Sequence, residues 1–196
     1  MDSEVAMPCP ICSVEGELKM RSHSAEIPYF GEHTQVTLLC DHCGWRQTDF
    51  IPADGAKPNG WNILVDDEEI LRTRVVRSSS CTICIPELDL EVNPGTSNAG
   101  YVSNVEGVMN RFVDVIEMVS ADFSPEHSAS EIAECAEMLS RLTNIMNGDF
   151  SQPVSIELLD PRGHSQILHA EAAPRDLTNE ELASLPVGPD PAIFTA

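Results

Sequence analysis

Two Cys-x-x-Cys pairs near the start of the chain constrain its fold more than any other feature. Cys9 pairs with Cys12 and Cys40 with Cys43, and 27 residues lie between the pairs. Four thiolates complete the tetrahedral coordination of zinc, so the ion would be structural, with no open position for chemistry. Gly44 suits the left-handed turn that closes a zinc knuckle. The spacing therefore predicts one structural Zn²⁺ held by two knuckles, in a zinc ribbon.

Other interpretations of the cysteines are weaker. A redox pair needs a cation or a helix N-terminus to stabilise its thiolate, whereas Asp41 lies inside the second pair. His42 also lies within that knuckle, and we expect it to point away from the metal. Cys81 and Cys84 have the same spacing but fall in a predicted strand, where residues three apart face opposite sides at about 10 Å. We assign both, and Cys135 on a helical apolar stripe, to the core.

The charge of the chain limits its partners. Its net charge is −21, with 32 acidic against 11 basic residues, and no segment is basic. Nucleic-acid binding needs a positive surface for phosphates, so the composition argues against it. An acidic, lysine-poor surface is typical of salt-rich cytoplasm, because screening removes the self-repulsion of the carboxylates. The composition thus indicates a halophilic protein first and an acidic docking surface second.

The sequence also indicates where the protein works. It contains no apolar run of about 18 residues, so we expect no membrane span. Its acidic first residues do not resemble a secretory signal. Seven cysteines without such a signal are typical of a reducing compartment, so we expect a cytoplasmic protein.

The order of predicted elements is strands, a helical hairpin, then strands. Residues 1–52 form the ribbon, and residues 53–170 form a β domain with a helical hairpin at about 103–148. Helices inside an antiparallel β sequence indicate an insertion into a sandwich or roll. Residues 171–196 are acidic and contain four prolines, so we expect a flexible extension.

Local signals set the predicted element ends. The acidic run 66–69 predicts a solvated turn, and Leu88–Val92 a strand with alternating apolar residues. Ser103 with Glu106 predicts a capping box for the first helix, and Ser128 with Glu131 one for the second. The apolar stripe of the first helix is predicted to run from Val105 to Val119, and that of the second from Ile132 to Met146.

Several stretches together resemble the ZPR-one family of zinc-finger proteins. The resemblance covers roughly residues 7–170. It rests on the first knuckle, Ile27-Pro28-Tyr29-Phe30, Cys40-Asp41-His42-Cys43-Gly44-Trp45-Arg46, Ile85-Pro86-Glu87-Leu88-Asp89-Leu90-Glu91, Gly100 through Val105-Glu106-Gly107, and Asp160-Pro161-Arg162-Gly163-His164-Ser165.

The resemblance implies a fold and a function. The fold is mainly β with an α insertion: a zinc ribbon followed by a double-stranded β-helix, jelly-roll-like, that carries an αα-hairpin. Eukaryotic members resemble two such modules in tandem, and this single module looks like an archaeal member. The family implies a non-enzymatic chaperone that binds translation elongation factor one-alpha and assists its folding. Cys81, Cys84 and His164 depart from the family pattern.

Two other functions remain open. One is a zinc ribbon associated with nucleic acid or transcription. The other is a cupin-like metal enzyme, which needs histidines and a carboxylate converging inside the barrel. Its candidate ligands are Glu157, His164 and His169, but the chain has no His-x-His motif. We expect these histidines to be an exposed turn residue and a strand-end residue.

Three aromatic residues near the knuckles are candidates for partner binding. Tyr29, Phe30 and Trp45 either pack the small ribbon core or contact a partner. Both alternatives stay open, because small metal-stabilised domains have few core residues to spare.

Overall fold

The computed structural model describes residues 2–27, 31–52, 57–94, 99–123 and 129–186. The N-terminal part is an antiparallel sheet in the order β1-β2-β3-β4. Its strands are β1 (Asp2–Glu4), β2 (Leu18–Ile27), β3 (Gly31–Cys40) and β4 (Arg46–Pro52). From Val36 to Cys40 alternate residues of β3 are buried, which is the period expected of a strand with one face on a core. That core contains Val5, Leu18, Leu38 and Trp45 around two of the cysteines.

The second part contains two antiparallel sheets that share one apolar core. The five-stranded sheet has the order β12-β5-β10-β7-β8 and the three-stranded sheet the order β11-β6-β9. The core takes side chains from both sheets and from three helices. The strands are β5 (Asn59–Val65), β6 (Arg74–Arg77), β7 (Thr82–Ile85), β8 (Leu90–Val92), β9 (Tyr101–Asn104), β10 (Val154–Asp160), β11 (Gln166–Leu168) and β12 (Ala173–Asp176).

Two long helices lie between β9 and β10, where the sequence predicts a helical hairpin. They are α2 (Val105–Ala121) and α3 (Ala129–Met146). In α2 the buried side chains run from Val105 to Ile116, whereas in α3 only Leu142 and Ile145 are buried. The predicted stripes are therefore too long, because Val119 and Ile132 are exposed. The end of the hairpin where α2 finishes and α3 begins extends beyond the shared core.

Three local predictions were wrong in their details. The acidic run leads into a short helix, α1 (Glu68–Leu71), because Asp67 caps its first turn by accepting from the Ile70 amide at 2.9 Å. Helix α2 is capped by Asn104, which accepts from the Gly107 amide, and not by Ser103. A 3-10 turn over Pro86–Leu88 delays β8 to Leu90. The predicted cap Ser128 lies outside the described residues.

The segment after Glu171 differs from the flexible extension predicted. Strand β12 pairs with β5, and helix α4 (Asn179–Ser184) follows it. Thr178 and Glu181 form a full capping box, and Arg175 donates two hydrogen bonds to the Glu181 carboxylate. The strand covers an edge of β5 that would otherwise be unpaired. Residues 187–196 lie outside the described part of the chain.

A buried carboxylate holds the two sheets together at one end. Asp160, at the end of β10, accepts hydrogen bonds from the hydroxyls of Ser78, Ser80 and Ser165 at 2.6–2.7 Å. The backbone amides of Arg162 and His164 also donate to it. All of its accepting capacity is used, so the group is satisfied although fully buried.

Candidate metal centre

Two turns of closely similar geometry present the four N-terminal cysteines. In the first, the Cys9 amide donates to the Val14 carbonyl at 3.0 Å, and the Ser13 amide donates to the Cys9 carbonyl at 2.8 Å. Ser13 adopts a left-handed φ of 59°, which non-glycine residues rarely do. This conformation turns the chain back so that both sulfurs of the pair face the same side.

The second turn repeats the first. The Cys40 amide donates to the Trp45 carbonyl and the Gly44 amide to the Cys40 carbonyl, both at 2.9 Å. Gly44 has a φ of 74°, the left-handed turn expected from the sequence. The first pair lies between β1 and β2, and the second begins at Cys40, the last residue of β3, so the ribbon sheet brings the two turns face to face.

The four sulfurs fit one zinc ion. All four Sγ atoms lie within 4.8 Å of one another. The Cys9–Cys43 sulfur distance is 3.8 Å and the Cys12–Cys40 distance is 3.7 Å. Four sulfurs bound tetrahedrally at about 2.3 Å from zinc stand roughly 3.8 Å apart. The donor set and its spacing therefore suit a structural Zn²⁺ with a complete coordination sphere.

The cluster lies at the edge of the ribbon core. Cys9 and Cys40 are buried, Cys12 is half-buried and Cys43 is exposed. Burial opposes ionisation of the Cys9 thiol, but the amide donors of the turn, including Ile11, lower its pKa to about 7. Such amides stabilise thiolates in the metal-bound state.

Comparison with known proteins identifies both parts of the chain. The ZPR1 zinc-finger domain matches residues 3–58, and the ZPR1 jelly-roll domain matches residues 69–184. This chain belongs to the ZPR1 family. The match confirms the predicted family, and with the structure it confirms the predicted class, a mainly β fold with a zinc ribbon and a jelly roll.

The relatives include archaeal and eukaryotic proteins. A ZPR1-like protein of Pyrococcus horikoshii is 35% identical over 92% of this chain and 80% of its own length. One of Methanocaldococcus jannaschii is 33% identical over 96% of this chain and 92% of its own length. The zinc finger chaperone zpr1 of Schizosaccharomyces pombe is 29% identical over 84% of this chain but only 34% of itself. This ZPR1 chain thus corresponds in length to the archaeal, single-module relatives.

The remaining cysteines and His42 stand apart from the metal cluster. His42 is exposed, and Cys81 is fully buried with its thiol donating to the Thr82 carbonyl. Burial raises the pKa of the half-buried Cys84 thiol to about 12, which keeps it protonated. Cys135 packs against the jelly-roll core. Cys81 and Cys135 are therefore placed with the core, in agreement with the sequence prediction. Cys84 is not: it is half-buried, lies outside the core cluster and directs its thiol towards Glu91.

The structure does not assemble a cupin-like site. Glu157 accepts from the Asn62 side chain at 2.9 Å, and the His169 ring accepts from the Glu171 amide at 3.2 Å. The His164 amide donates to Asp160 in the turn after β10. Across the described residues, the four N-terminal cysteines form the sole group of three or more potential metal ligands.

The three aromatic candidates have different outcomes. Trp45 is 9% exposed and packs in the ribbon core, so the structure favours the packing alternative for this residue. Tyr29 and Phe30 lie outside the described residues.

Two features escaped the sequence analysis. The first is a group of exposed apolar side chains at the end of the hairpin. Val115 and Met118 could have indicated it, because they are apolar residues of α2 that lie off the predicted stripe. The second is a cleft that contains Arg77 and Arg111. These residues come from a strand and a helix far apart in sequence, so no local pattern pairs them. No helix in the described ranges is long and apolar enough to cross a bilayer.

Proposed function

We propose that this ZPR1-family chain binds translation elongation factor one-alpha in the cytoplasm and assists its folding, without catalysing a reaction. One observation carries the proposal: the hairpin exposes a group of apolar side chains. Their exposed fractions are 42% for Val115, 63% for Met118, 46% for Val119 and 46% for Ile132. Contiguous exposed apolar surface is typical of a protein-binding site.

The positions of these side chains suit a partner groove. Val115, Met118 and Val119 have the spacing i, i+3 and i+4, so they share one face of α2. Ile132 lies in the first turn of α3, the helix that follows α2 and packs against it. We call these four residues the hairpin patch. An amphipathic helix that offers such anchors is a common way to engage an apolar groove.

The relatives and the fold support a chaperone role. The Schizosaccharomyces pombe relative is named a zinc finger chaperone. A partly folded multidomain protein exposes apolar surface that its assembled form buries, and the hairpin patch supplies a matching surface. We propose elongation factor one-alpha as the partner because of the family resemblance. The ribbon, fixed by its zinc, would supply a second contact element.

Binding can be tested with purified proteins. The immobilised chain is mixed with the elongation factor of the same organism, either native or diluted from denaturant, and capture is measured. We expect the refolding factor to be captured, and about tenfold less of it by the variant Met118→Asp/Val119→Asp, because charges in a desolvated contact weaken binding. Leu64→Asp is the matched control, since Leu64 is 43% exposed and belongs to β5, not to the hairpin.

The folding role needs a second readout. Nucleotide binding by the refolded factor should recover further with the wild-type chain than with the hairpin variant. Failure of the wild-type chain to capture the factor, or equal capture by the hairpin variant and wild type, would refute the proposal.

A second candidate function rests on the charge of one ribbon face. All three basic residues of segment 1–52, Lys19, Arg21 and Arg46, line one cleft of about 350 Å³, together with His23. Lys19, Arg21 and His23 alternate along β2, and Arg46 reaches the same face because it pairs with Leu39, the partner of Lys19. This face favours an anionic partner and thus the nucleic-acid alternative. The ion pair of Lys19 with Asp41 weakens it.

A mobility-shift assay at low salt separates the two candidates. A ribbon that binds nucleic acid would shift an RNA or DNA duplex at 0.1 M salt, and Arg46→Gln would weaken the shift because phosphate contacts depend on each cation. Arg72→Gln is the control, as Arg72 is an exposed arginine paired with Glu68. Absence of any shift at low salt would eliminate this candidate.

A further inference from the structure

A cleft beside α2 gathers two arginines in a strongly acidic protein. Its volume is about 290 Å³, and it lies between α2 and the strands β6 to β9. Arg77, Arg111 and Tyr101 line it, with an apolar wall that includes Ile83 and Phe112. The chain has a net charge of −21 and only 11 basic residues. Two guanidinium groups at one apolar cleft therefore need an explanation.

Arg77 is the less ordinary of the two. It is 1% exposed, and its Nη2 donates to the Cys81 carbonyl at 2.7 Å. Its Nε is buried and has no hydrogen-bond partner. Within the described residues Arg77 forms no ion pair, and its guanidinium carbon lies over the Tyr101 ring, 5.8 Å from the centroid. A buried cation without a counter-ion is costly, so an anion at this place would be stabilised.

Arg111 reaches the same ring from α2. Its guanidinium carbon lies 4.1 Å from the Tyr101 centroid, a stacked cation–π geometry that holds an otherwise exposed side chain in place. Both guanidinium groups thus approach one aromatic ring, where their mutual repulsion is unfavourable. A bound anion would relieve that repulsion and would find both groups already oriented.

The cleft also contains one acidic residue. Asp114 lies one turn after Arg111 and lines the same space. The balance is two cations against one carboxylate, which leaves a net positive charge for a ligand. Asp114 would repel a doubly charged phosphate more strongly than a singly charged carboxylate. The apolar wall would further favour a ligand with a hydrocarbon part.

We propose that this cleft binds a carboxylate carried on a compact apolar group. The carboxylate accepts hydrogen bonds from Arg77 Nε and from the Arg111 guanidinium. The apolar group packs against Phe112 and Ile83. Such a carboxylate is offered by a free organic acid or by the C-terminal residue of another chain, and the cleft recognises the chemistry that the two share. The site does not depend on binding to the elongation factor.

The test compares an acid with its neutral analogue. N-acetylleucine and N-acetylleucine amide are titrated into the protein, and binding is followed by calorimetry and by the NMR signals of Tyr101. We expect the acid to bind and the amide to bind at least about tenfold more weakly, because it cannot pair with the arginines. Inorganic phosphate should not displace the acid. An acetylated tripeptide ending in leucine is titrated in the same way. If it binds more tightly than N-acetylleucine, the ligand is the C-terminus of another chain; if it binds more weakly, the ligand is a free organic acid.

Variants separate the site from a general charge effect. Arg111→Gln should weaken binding of N-acetylleucine about tenfold or more, since the fold does not need this exposed side chain. Arg74→Gln, an exposed arginine on β6, is the control and should bind like wild type. Equal binding of acid and amide, no perturbation of Tyr101, or unchanged binding by Arg111→Gln would each overturn the proposal.

Discussion

The carboxylate of Asp49, in the last ribbon strand, accepts a hydrogen bond at 2.8 Å from the hydroxyl of Ser79, which follows β6 of the jelly roll. The Ser79 amide also donates to Asp49 at 2.9 Å. Beside this pair, the Gly100 amide donates to the Thr48 carbonyl at 2.6 Å. Both Asp49 and Ser79 are buried. The ribbon is therefore attached to the jelly roll through a buried polar junction. Removing Asp49 would leave the buried donors of Ser79 without an acceptor.

The first prediction concerns this junction. Asp49→Ala should lower the free energy of unfolding by about 3 kcal/mol, because it leaves the buried Ser79 donors without an acceptor. Ser79→Ala should cost less, about 1–2 kcal/mol, since the backbone amide keeps its bond. Urea denaturation measures both. Ser24→Ala, which removes an exposed hydroxyl contact to Thr34, is the control and should change stability by less than about 0.5 kcal/mol. Equal effects of Asp49→Ala and Ser24→Ala would contradict the junction.

The second prediction concerns the metal. Metal analysis of the purified protein should give one zinc per chain, and Cys40→Ser should lose it, because three thiolates and a hydroxyl bind zinc far less tightly. Cys84→Ser is the matched control and should retain the ion. Chelation should alter the fluorescence of Trp45, which packs in the ribbon core beside the cysteines, while the helical signal of the hairpin persists. Loss of zinc from Cys84→Ser would refute the assignment.

The third prediction concerns acid stability. Burial raises the pKa of the Asp160 carboxyl, but the hydrogen bonds from Ser165, Ser78 and Ser80 outweigh it and hold the pKa below its ordinary value of 3.8. A group whose pKa is lower in the folded state stabilises the fold above its unfolded pKa. This contribution disappears as the pH falls from about 4 through the folded pKa. Wild type should therefore lose stability in this window by more than Asp160→Asn does.

The measurement is the urea midpoint of both proteins at a series of pH values. Protonation of the zinc ligands affects wild type and Asp160→Asn alike, so the difference between them isolates Asp160. At pH 7 the variant should be less stable, because an amide replaces an acceptor of five hydrogen bonds. Parallel curves down to pH 2.5 would show that the lowered pKa of Asp160 does not contribute.

The features that the sequence predicted are those whose causes are local. The zinc ribbon follows from two cysteine spacings, and the hairpin follows from helical periodicity on either side of a break. The strand β12 could not be predicted, because Ala173–Asp176 becomes a strand only where the edge of β5 is available. The same holds for Ser79, whose role depends on Asp49, 30 residues away. The exposure of the hairpin patch depends on how far the sheets extend beneath the helices, which no periodicity reports.

The N-cap of α2 also could not be predicted from local sequence. Ser103 and Asn104 are both good capping residues, and they are adjacent. Ser103 lies inside β9, where it pairs with Val75, whereas Asn104 is the last residue of that strand, so the helix begins only at Val105 and Asn104 takes the cap. Tertiary pairing thus decided between two locally equivalent signals.

The fourth prediction compares two glycines with left-handed backbones. Gly163, with a φ of 72°, lies in the turn after β10, and a Cβ there would stand 1.8 Å from the Lys57 carbonyl oxygen. Gly148, with a φ of 90°, follows α3, and a Cβ there would meet nothing within 4 Å. Gly148→Ala should therefore cost only the backbone strain of about 1–2 kcal/mol.

Gly163→Ala should cost distinctly more, roughly 3 kcal/mol or above, because the turn must also move away from Lys57, and the Asn59 side chain would lose its hydrogen bond to the Gly163 carbonyl. The same turn carries the Arg162 and His164 amides that donate to Asp160, so the Asp160 network should loosen with it. Thermal unfolding of the two variants measures the difference, and hydrogen exchange at the His164 amide reports the loosening. Equal stability of Gly163→Ala and Gly148→Ala would mean that the turn does not press against Lys57.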